Sequence, residues 1–175
     1  VYARAAEMRG AMDSRLEAVL LDAVLRGQDP DEIRHRATAL GWRGDHRVMV
    51  MAGLAPGQDQ PAFIPGLRRA AAKLDCDLLV GVQAERLVLV IGSVTDAQVV
   101  GEALTPWFAP GPVILGPVVD SLVEAHVSAR HTLAGLGAAP AHPRAIRPTP
   151  AEDLLPERAL LGDPTACEAL VDGVY

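Results

Sequence analysis

Aromatic residues and lysine are scarce in this sequence of 175 residues. Phe, Trp and Tyr together make up 3%, so a buried core has to be built mainly from Leu, Val and Ala. Lys73 is the only lysine, and all the other basic residues are arginines, a bias typical of GC-rich bacterial genomes. Half of the residues are nevertheless apolar. Because disordered chains are poor in apolar residues, the composition predicts a folded domain with a sizeable core.

The sequence also lacks a long apolar run, a secretory signal and a basic face. No stretch approaches the roughly 18 apolar residues that a membrane span needs. The formal charge is −6, which argues against a dedicated nucleic-acid binder. The two cysteines, Cys76 and Cys167, lie far apart without a C-x-x-C pattern, and we expect reduced thiols in a cytoplasmic protein.

A long helix over residues 2–26 is predicted from apolar residues that recur at three- and four-residue steps. Gly27 ends it, and Asp29 followed by Pro30 is typical of the start of a second helix. The C-terminal half of the long helix is expected to pack on its own sheet, whereas residues 1–12 can extend as a signalling helix. The candidate dimer or signalling face consists of Met8, Met12, Leu16, Val19, Leu20 and Ala23.

The rest of the chain alternates between short apolar runs and helical periods. Residues 77–82 and 86–91 are joined by three residues, which permits only an antiparallel hairpin. The order β-α-β-β-α-β-α predicts an α+β sandwich with a mainly antiparallel sheet. Further strands are predicted at 48–52 and 112–116, and helices at 63–74, 96–108 and 121–135, the last with a capping box of Ser121 and Glu124. We divide the chain into a helical lead-in (1–43), an α+β domain (44–139) and a proline-rich linker with C-terminal helices (140–175).

Residues that carry enzyme chemistry are hard to find. His126 and His131 are five residues apart on one predicted helix, about 140° around its axis, so they are poorly placed to share a metal ion. Ser128 is explained by an exposed helix surface, and no phosphate-binding loop or nucleophile elbow is present. The sequence therefore predicts no catalytic residue, no metal site and no cofactor.

Basic residues form only three small groups. They are Arg34 with Arg36, Arg68 with Arg69, and Arg144 with Arg147. The pair at 68–69 lies on an otherwise apolar helix and is interpreted as a solvated face. No group is large enough to predict a phosphate site.

Several segments, taken in order, resemble PucR/CdaR-type transcriptional regulators, in particular their actinobacterial branch. The similarity is greatest around residues 116–130. The segments are LEAVLLDAVLRG (16–27), RATALGW (36–42), LLVGVQ (78–83), GPVV (116–119), LVEAHVSAR (122–130) and DLLPERALLGD (153–163).

The resemblance implies a degenerate GGDEF-like domain, related in fold to nucleotidyl cyclases, followed by a DNA-binding helix-turn-helix that would begin after Tyr175. A cyclase of this fold needs several carboxylates to hold metal ions. The predicted hairpin turn, GVQAER (81–86), offers only Glu85, and the strand at 48–52 offers no acid. We therefore expect no cyclase activity.

Two functional hypotheses remain. In the first, the chain is a sensor and dimerisation domain of a homodimeric transcription regulator that contacts DNA only through a domain absent from these residues. In the second, it is a ligand-gated switch that binds a nucleotide or an acyl or polyketide-pathway metabolite. The sequence does not identify the pocket for such an effector.

Overall fold

The computed structural model describes residues 2–43, 46–57, 63–142 and 146–173, with side chains from Met12 onward. This part of the chain forms helices on both sides of one sheet. No helix in it is both long and apolar enough to cross a bilayer. In chain order the elements are α1 Tyr2–Arg26, α2 Pro30–Ala39, β1 Met49–Leu54, α3 Phe63–Lys73, β2 Asp77–Gln83, β3 Arg86–Gly92, α4 Ala97–Leu104, β4 Val113–Leu115, α5 Ala125–Ala138, β5 Thr149–Pro150, α6 Leu155–Leu160 and α7 Pro164–Asp172.

The sheet has the order β2-β3-β1-β4-β5. The pairs β2/β3, β3/β1 and β1/β4 are antiparallel, and β4/β5 is parallel. Leu79 lies opposite Val90 in the hairpin, and Val90 lies opposite Val50 in the centre of the sheet. The predicted α+β class, the hairpin and the mainly antiparallel sheet are confirmed.

The core has two layers because successive residues of β1 point to opposite faces of the sheet. Val50 and Ala52 pack in a cluster with residues of α1, α2 and α5. Met49 and Met51 pack in a second cluster with residues of α3 and α4. With so few aromatic residues, Leu, Val and Ala supply most of the buried side chains on both faces, as the composition predicts.

The start of α2 lies where Asp29 and Pro30 predict it. The Asp29 side chain accepts hydrogen bonds from the N–H groups of Asp31 and Glu32, at 2.8 and 3.2 Å. Gly27 has φ +61°, and a Cβ there would lie 2.9 Å from the His126 ring. Glycine thus ends α1 for two reasons, because it adopts the left-handed conformation easily and because it leaves space for α5.

The start of α5 differs from the capping-box prediction. Residues Leu122–Glu124 form a 3₁₀ turn, and α5 itself begins at Ala125. The Ser121 side chain makes no capping hydrogen bond. Glu124 accepts from the N–H of Asp120, at 3.2 Å, instead of from that of Ser121. The prediction was wrong because the 3₁₀ turn shifts the start of the α-helix by several residues.

Ser128 is buried, contrary to the prediction of an exposed helix surface. Its hydroxyl accepts from the N–H of Val50, at 2.9 Å, and the Thr132 hydroxyl donates to the Val50 carbonyl, at 3.1 Å. Gly116, directly after β4, has no side chain, and a Cβ there would collide with both hydroxyls. The absence of a side chain at Gly116 therefore allows α5 to approach β1 closely.

The proline-rich passage, which we interpreted as a linker, ends in a strand. Thr149 pairs with Ile114 and Pro150 with Leu115. Ala151 and Leu154 then pack with Ile114 in a small third cluster. The end of this passage is thus part of the packed domain, because the short parallel pairing places apolar residues next to α5.

Candidate functional site

The hairpin between β2 and β3 is the place where a cyclase of this fold would hold its carboxylates. Gln83 pairs with Arg86, so Ala84 and Glu85 alone form the turn. Ala84 has φ +55°. The turn carries one carboxylate, on Glu85, and β1 carries none. In the described ranges, no three His, Cys, Asp or Glu side chains come close enough together to hold a metal ion.

The candidate face of α1 divides into an exposed and a buried part. Met12 is 67% exposed, Leu16 45% and Val19 47%. Leu20 and Ala23, in contrast, are buried in the core. The backbone of Met8 is helical, but its side chain lies outside the described residues.

Glu17 is the residue of α1 whose role the sequence analysis missed. It is nearly buried, and its Oε1 accepts a hydrogen bond from the N–H of Val80 in the edge strand β2, at 2.9 Å. Its other oxygen forms an ion pair with Arg68 on α3. The signal was available in the sequence, since Glu17 stands three and four residues before the buried Leu20 and Leu21, on the same helical face.

A cavity with a volume of about 560 Å³ lies between the domain core and the C-terminal helices. The core side is formed by the start of α4 and the segment that follows β4, and the other side by the segment after β5 and by α6 and α7. Apolar lining residues include Leu115, Pro117, Val118, Pro150, Leu155 and Ala169. Gln98, His131, Glu152 and Arg158 supply its polar groups.

Arg158 on α6 is an almost fully buried cation, 1% exposed. Its Nε and Nη2 lie 2.9 and 2.7 Å from Oδ2 of Asp163, and its Nη1 donates to the Ala151 carbonyl, at 3.1 Å. Burial raises the pKa of Asp163, but the hydrogen bonds and charge of Arg158 outweigh it, so that the pKa is lowered. Asp163 also caps α7 by accepting from the N–H groups of Thr165 and Ala166. One carboxylate thus compensates the buried cation and fixes the start of α7.

The histidines are placed separately. The His126 ring lies 2.9 Å from the Val123 carbonyl, whereas His131 lines the cavity. Burial and then the positive charge of Arg158 lower the pKa of His131. Nδ1 of His142 lies 2.7 Å from Glu157, and this hydrogen bond lowers the pKa of the Glu157 carboxyl.

The three basic groups are mostly paired within the chain. Arg34 contacts Asp31 and Arg36 contacts Glu32 on α2. Arg68 and Arg69 are both exposed, as predicted for a solvated face, and Arg68 in addition pairs with Glu17. In the third group, Arg144 lies outside the described residues, and Arg147 donates to the carbonyls of a loop, including that of Phe108 at 3.0 Å. Cys76 is buried and Cys167 exposed, and both are free thiols.

Related mycobacterial proteins align with nearly the whole of this chain. It is 38% identical over 178 aligned residues to the uncharacterized proteins Rv2242 of Mycobacterium tuberculosis and Mb2266 of Mycobacterium bovis. The alignment covers 97% of this chain and 43% of each relative. The chain therefore spans less than half the length of the curated relatives it matches.

A solved structure and a family model match the same fold. The crystal structure of a regulator of polyketide synthase expression from Bifidobacterium adolescentis superposes with a TM-score of 0.73 at 29% identity, covering 90% of this chain and 66% of that one. The family model for the GGDEF-like domain matches residues 26–138, from the end of α1 to the end of α5. This chain belongs to the GGDEF-like domain family.

Proposed function

We propose that this chain is the regulatory domain of a cytoplasmic bacterial transcription regulator of the PucR/CdaR type. The observation that carries the proposal is the match, over 90% of the chain, to a regulator of polyketide synthase expression. In this proposal, DNA is bound by a helix-turn-helix segment outside these 175 residues. The formal charge of −6 supports that division, because an acidic surface is repelled by the phosphate backbone.

The proposal includes the absence of enzymatic activity. Phosphoryl-transfer enzymes that use two metal ions need several carboxylates to hold them. The hairpin turn offers only Glu85, and β1, with the sequence MVMAGL, offers no acid. The donor set for cyclase chemistry is therefore missing from both places where this fold would supply it.

The domain is proposed to form a homodimer through the exposed face of α1. Met12, Leu16 and Val19 follow one another at steps of four and three residues, so they form one line along the helix. Exposed apolar residues in such a line favour pairing with a second helix of the same pattern. The buried face of α1 is separate, because Leu20, Leu21 and Val24 are already in contact with the core.

The first experiment measures the mass of the chain by light scattering. We expect a dimer, and we expect the double variant Met12→Asp/Leu16→Asp to be a monomer with an unchanged melting temperature, because both side chains are exposed in the single chain. Leu160→Asp is the matched control, since Leu160 is 86% exposed on α6, and it should remain a dimer.

Two results would contradict the proposal, one for dimerisation and one for the location of DNA binding. A monomeric wild-type chain, or a double variant that stays dimeric, contradicts dimerisation through α1. Salt-sensitive submicromolar binding of the 175-residue chain to a promoter fragment contradicts the location of the DNA contacts outside it.

A ligand-gated switch is the second candidate function, and the cavity favours it. At about 560 Å³, the cavity falls within the range of small-molecule sites, and it is lined by both the core and the C-terminal helices. Of the two ligand classes that the sequence analysis left open, an acyl or polyketide-type molecule fits the apolar walls better than a nucleotide does. A nucleotide would need uncompensated cations for its phosphates.

A further inference from the structure

We propose that the cavity between the core and α6–α7 binds an uncharged, mainly apolar small molecule with a hydroxyl or carbonyl group. The binding site stands on the geometry alone, whereas its role in signalling rests on the proposed regulatory function. Without a ligand, the apolar side chains that line this cavity of about 560 Å³ would be in contact with water. Displacing that water by an apolar ligand is favourable in proportion to the apolar surface that the ligand buries.

The charge around the cavity favours a neutral ligand over an anion. Arg158 is the buried cation at its wall, but Asp163 neutralises it at 2.7 Å, and the Ala151 carbonyl accepts a further hydrogen bond. The carboxylate of Glu152 adds a negative charge to the lining. An anionic ligand would thus meet no uncompensated positive side chain among the residues that line the cavity.

The N-terminus of α4 also borders the cavity, and it too is already satisfied. The Asp96 side chain accepts from the N–H groups of Gln98 and Val99, at 2.9 and 3.0 Å. This carboxylate occupies the position in which an anion would bind to the helix dipole. The helix start therefore provides apolar contact, through Ala97, without an anion site.

Two side chains can give the ligand its orientation. The Gln98 amide donates one N–H to Glu102, at 2.8 Å, which leaves a second N–H and the oxygen for a ligand, and the His131 ring has one donor and one acceptor when neutral. The lowered pKa of His131 favours the neutral ring. A hydroxyl or carbonyl oxygen on the ligand is a suitable partner for either group.

The position of the cavity gives binding a consequence. Leu115, Pro117 and Val118 lie at the end of β4 and directly after it, whereas Leu155 and Ala169 belong to α6 and α7. A ligand in contact with both sides stabilises the packed arrangement of the C-terminal helices. In the proposed regulator, this is the part of the domain nearest in sequence to the DNA-binding segment.

The test uses two fluorescent probes that share a naphthylamine skeleton. N-phenyl-1-naphthylamine is neutral, and 1-anilinonaphthalene-8-sulfonate carries a sulfonate. We expect the neutral probe to titrate the 175-residue chain to a single saturable site and to raise its melting temperature. The anionic probe should bind at least about ten-fold more weakly than the neutral probe. A ten-fold difference in affinity corresponds to about 1.4 kcal/mol.

Cavity-filling variants locate the site. Ala97→Phe places a ring in the cavity and should weaken binding of the neutral probe about ten-fold. Ala103→Phe, on the exposed side of the same helix α4, is the matched control and should bind as the wild type does. Ala169→Phe on α7 fills the cavity from the opposite side and replaces the first variant if that one does not fold.

Two results would overturn the inference. One is equal affinity for the two probes, and the other is probe binding that neither filling variant reduces. Both outcomes concern the cavity alone and leave the mass of the dimer and the location of DNA binding untouched, so failure of this site is distinguishable from failure of the proposed function.

Discussion

The two edges of the sheet differ in what covers them. Strand β2 forms one edge of the sheet. Glu17 of α1 covers this edge by accepting a hydrogen bond from the N–H of Val80, and it also pairs with Arg68. At the other edge, β4 and β5 are followed by the C-terminal segment. That segment adds an apolar cluster and the buried pair of Arg158 and Asp163.

The difference separates the hairpin, where a cyclase would hold its carboxylates, from the edge that carries the cavity. In a cyclase the hairpin at the β2 edge would carry the chemistry, yet here its turn carries one carboxylate. The β4–β5 edge combines a cavity, a buried cation and a histidine with a lowered pKa. We infer that the second edge is the more sensitive one, both for stability and for ligand binding.

The largest effect on stability is expected from Asp163→Asn, at the β4–β5 edge. The amide keeps an oxygen for the α7 cap but leaves the buried charge of Arg158 uncompensated. We expect a loss of about 3 kcal/mol in the free energy of unfolding, measured by urea denaturation at pH 7. Asp22→Asn, which breaks an exposed pair with Arg26, is the control and should cost less than about 0.5 kcal/mol.

The same variant makes a prediction about pH. The pKa of Asp163 is lowered in the folded state, so its contribution is present above the pKa of an unfolded aspartate, about 3.9, and is lost as the pH falls through the lower folded value. The difference between wild type and Asp163→Asn should therefore shrink as the pH falls below about 4. A difference that stays constant down to pH 2.5 would contradict the role of this charge.

An intermediate effect is expected from Gly116→Ala, next to β4. The new Cβ would lie 2.6 Å from the Ser128 carbonyl and would collide with two buried hydroxyls, so α5 has to move away from β1. We expect a cost of about 2 kcal/mol by thermal or urea denaturation. Gly137→Ala, on α5 with open space around it, should be neutral or stabilising, by up to about 1 kcal/mol. Equal effects of the two changes would contradict the close approach of α5.

The smallest effect is expected at the β2 edge, from Glu17→Gln. The amide oxygen can still accept from Val80, but the charge that pairs with Arg68 is lost. Because Arg68 is about half exposed, we expect a cost of only about 1 kcal/mol in urea denaturation. Glu102→Gln, at an exposed site on α4, is the control. If Glu17→Gln costs more than Asp163→Asn, the comparison between the two edges is reversed.

Local patterns predicted the elements well and the details of their ends less well. The hairpin followed from the short turn between two apolar runs, and the start of α2 from Asp29 and Pro30, since both depend on neighbouring residues only. The start of α5 was misjudged because a 3₁₀ turn precedes it. Ser128 was misjudged because its partner, Val50, lies 78 residues away.

The candidate face of α1 shows the same limit. Its periodicity identified an apolar stripe, but burial distinguishes Leu20 and Ala23 from the exposed Met12, Leu16 and Val19. Which apolar residue of a helix is covered depends on what packs against it, and that partner is elsewhere in the chain. The cavity was out of reach for the same reason, because its two sides come from segments that are distant in sequence.

The sequence by itself determined the class of the fold, the helices and strands, the aliphatic core, and the shortage of carboxylates at the hairpin, all of which follow from composition and from periods of two and 3.6 residues. Only the tertiary structure decided that Glu17 covers a strand edge, that Arg158 is buried against Asp163, and that a cavity lies between core and C-terminal helices. The physical reason is that burial and electrostatic pairing depend on distances in space, and residues far apart in the chain set those distances.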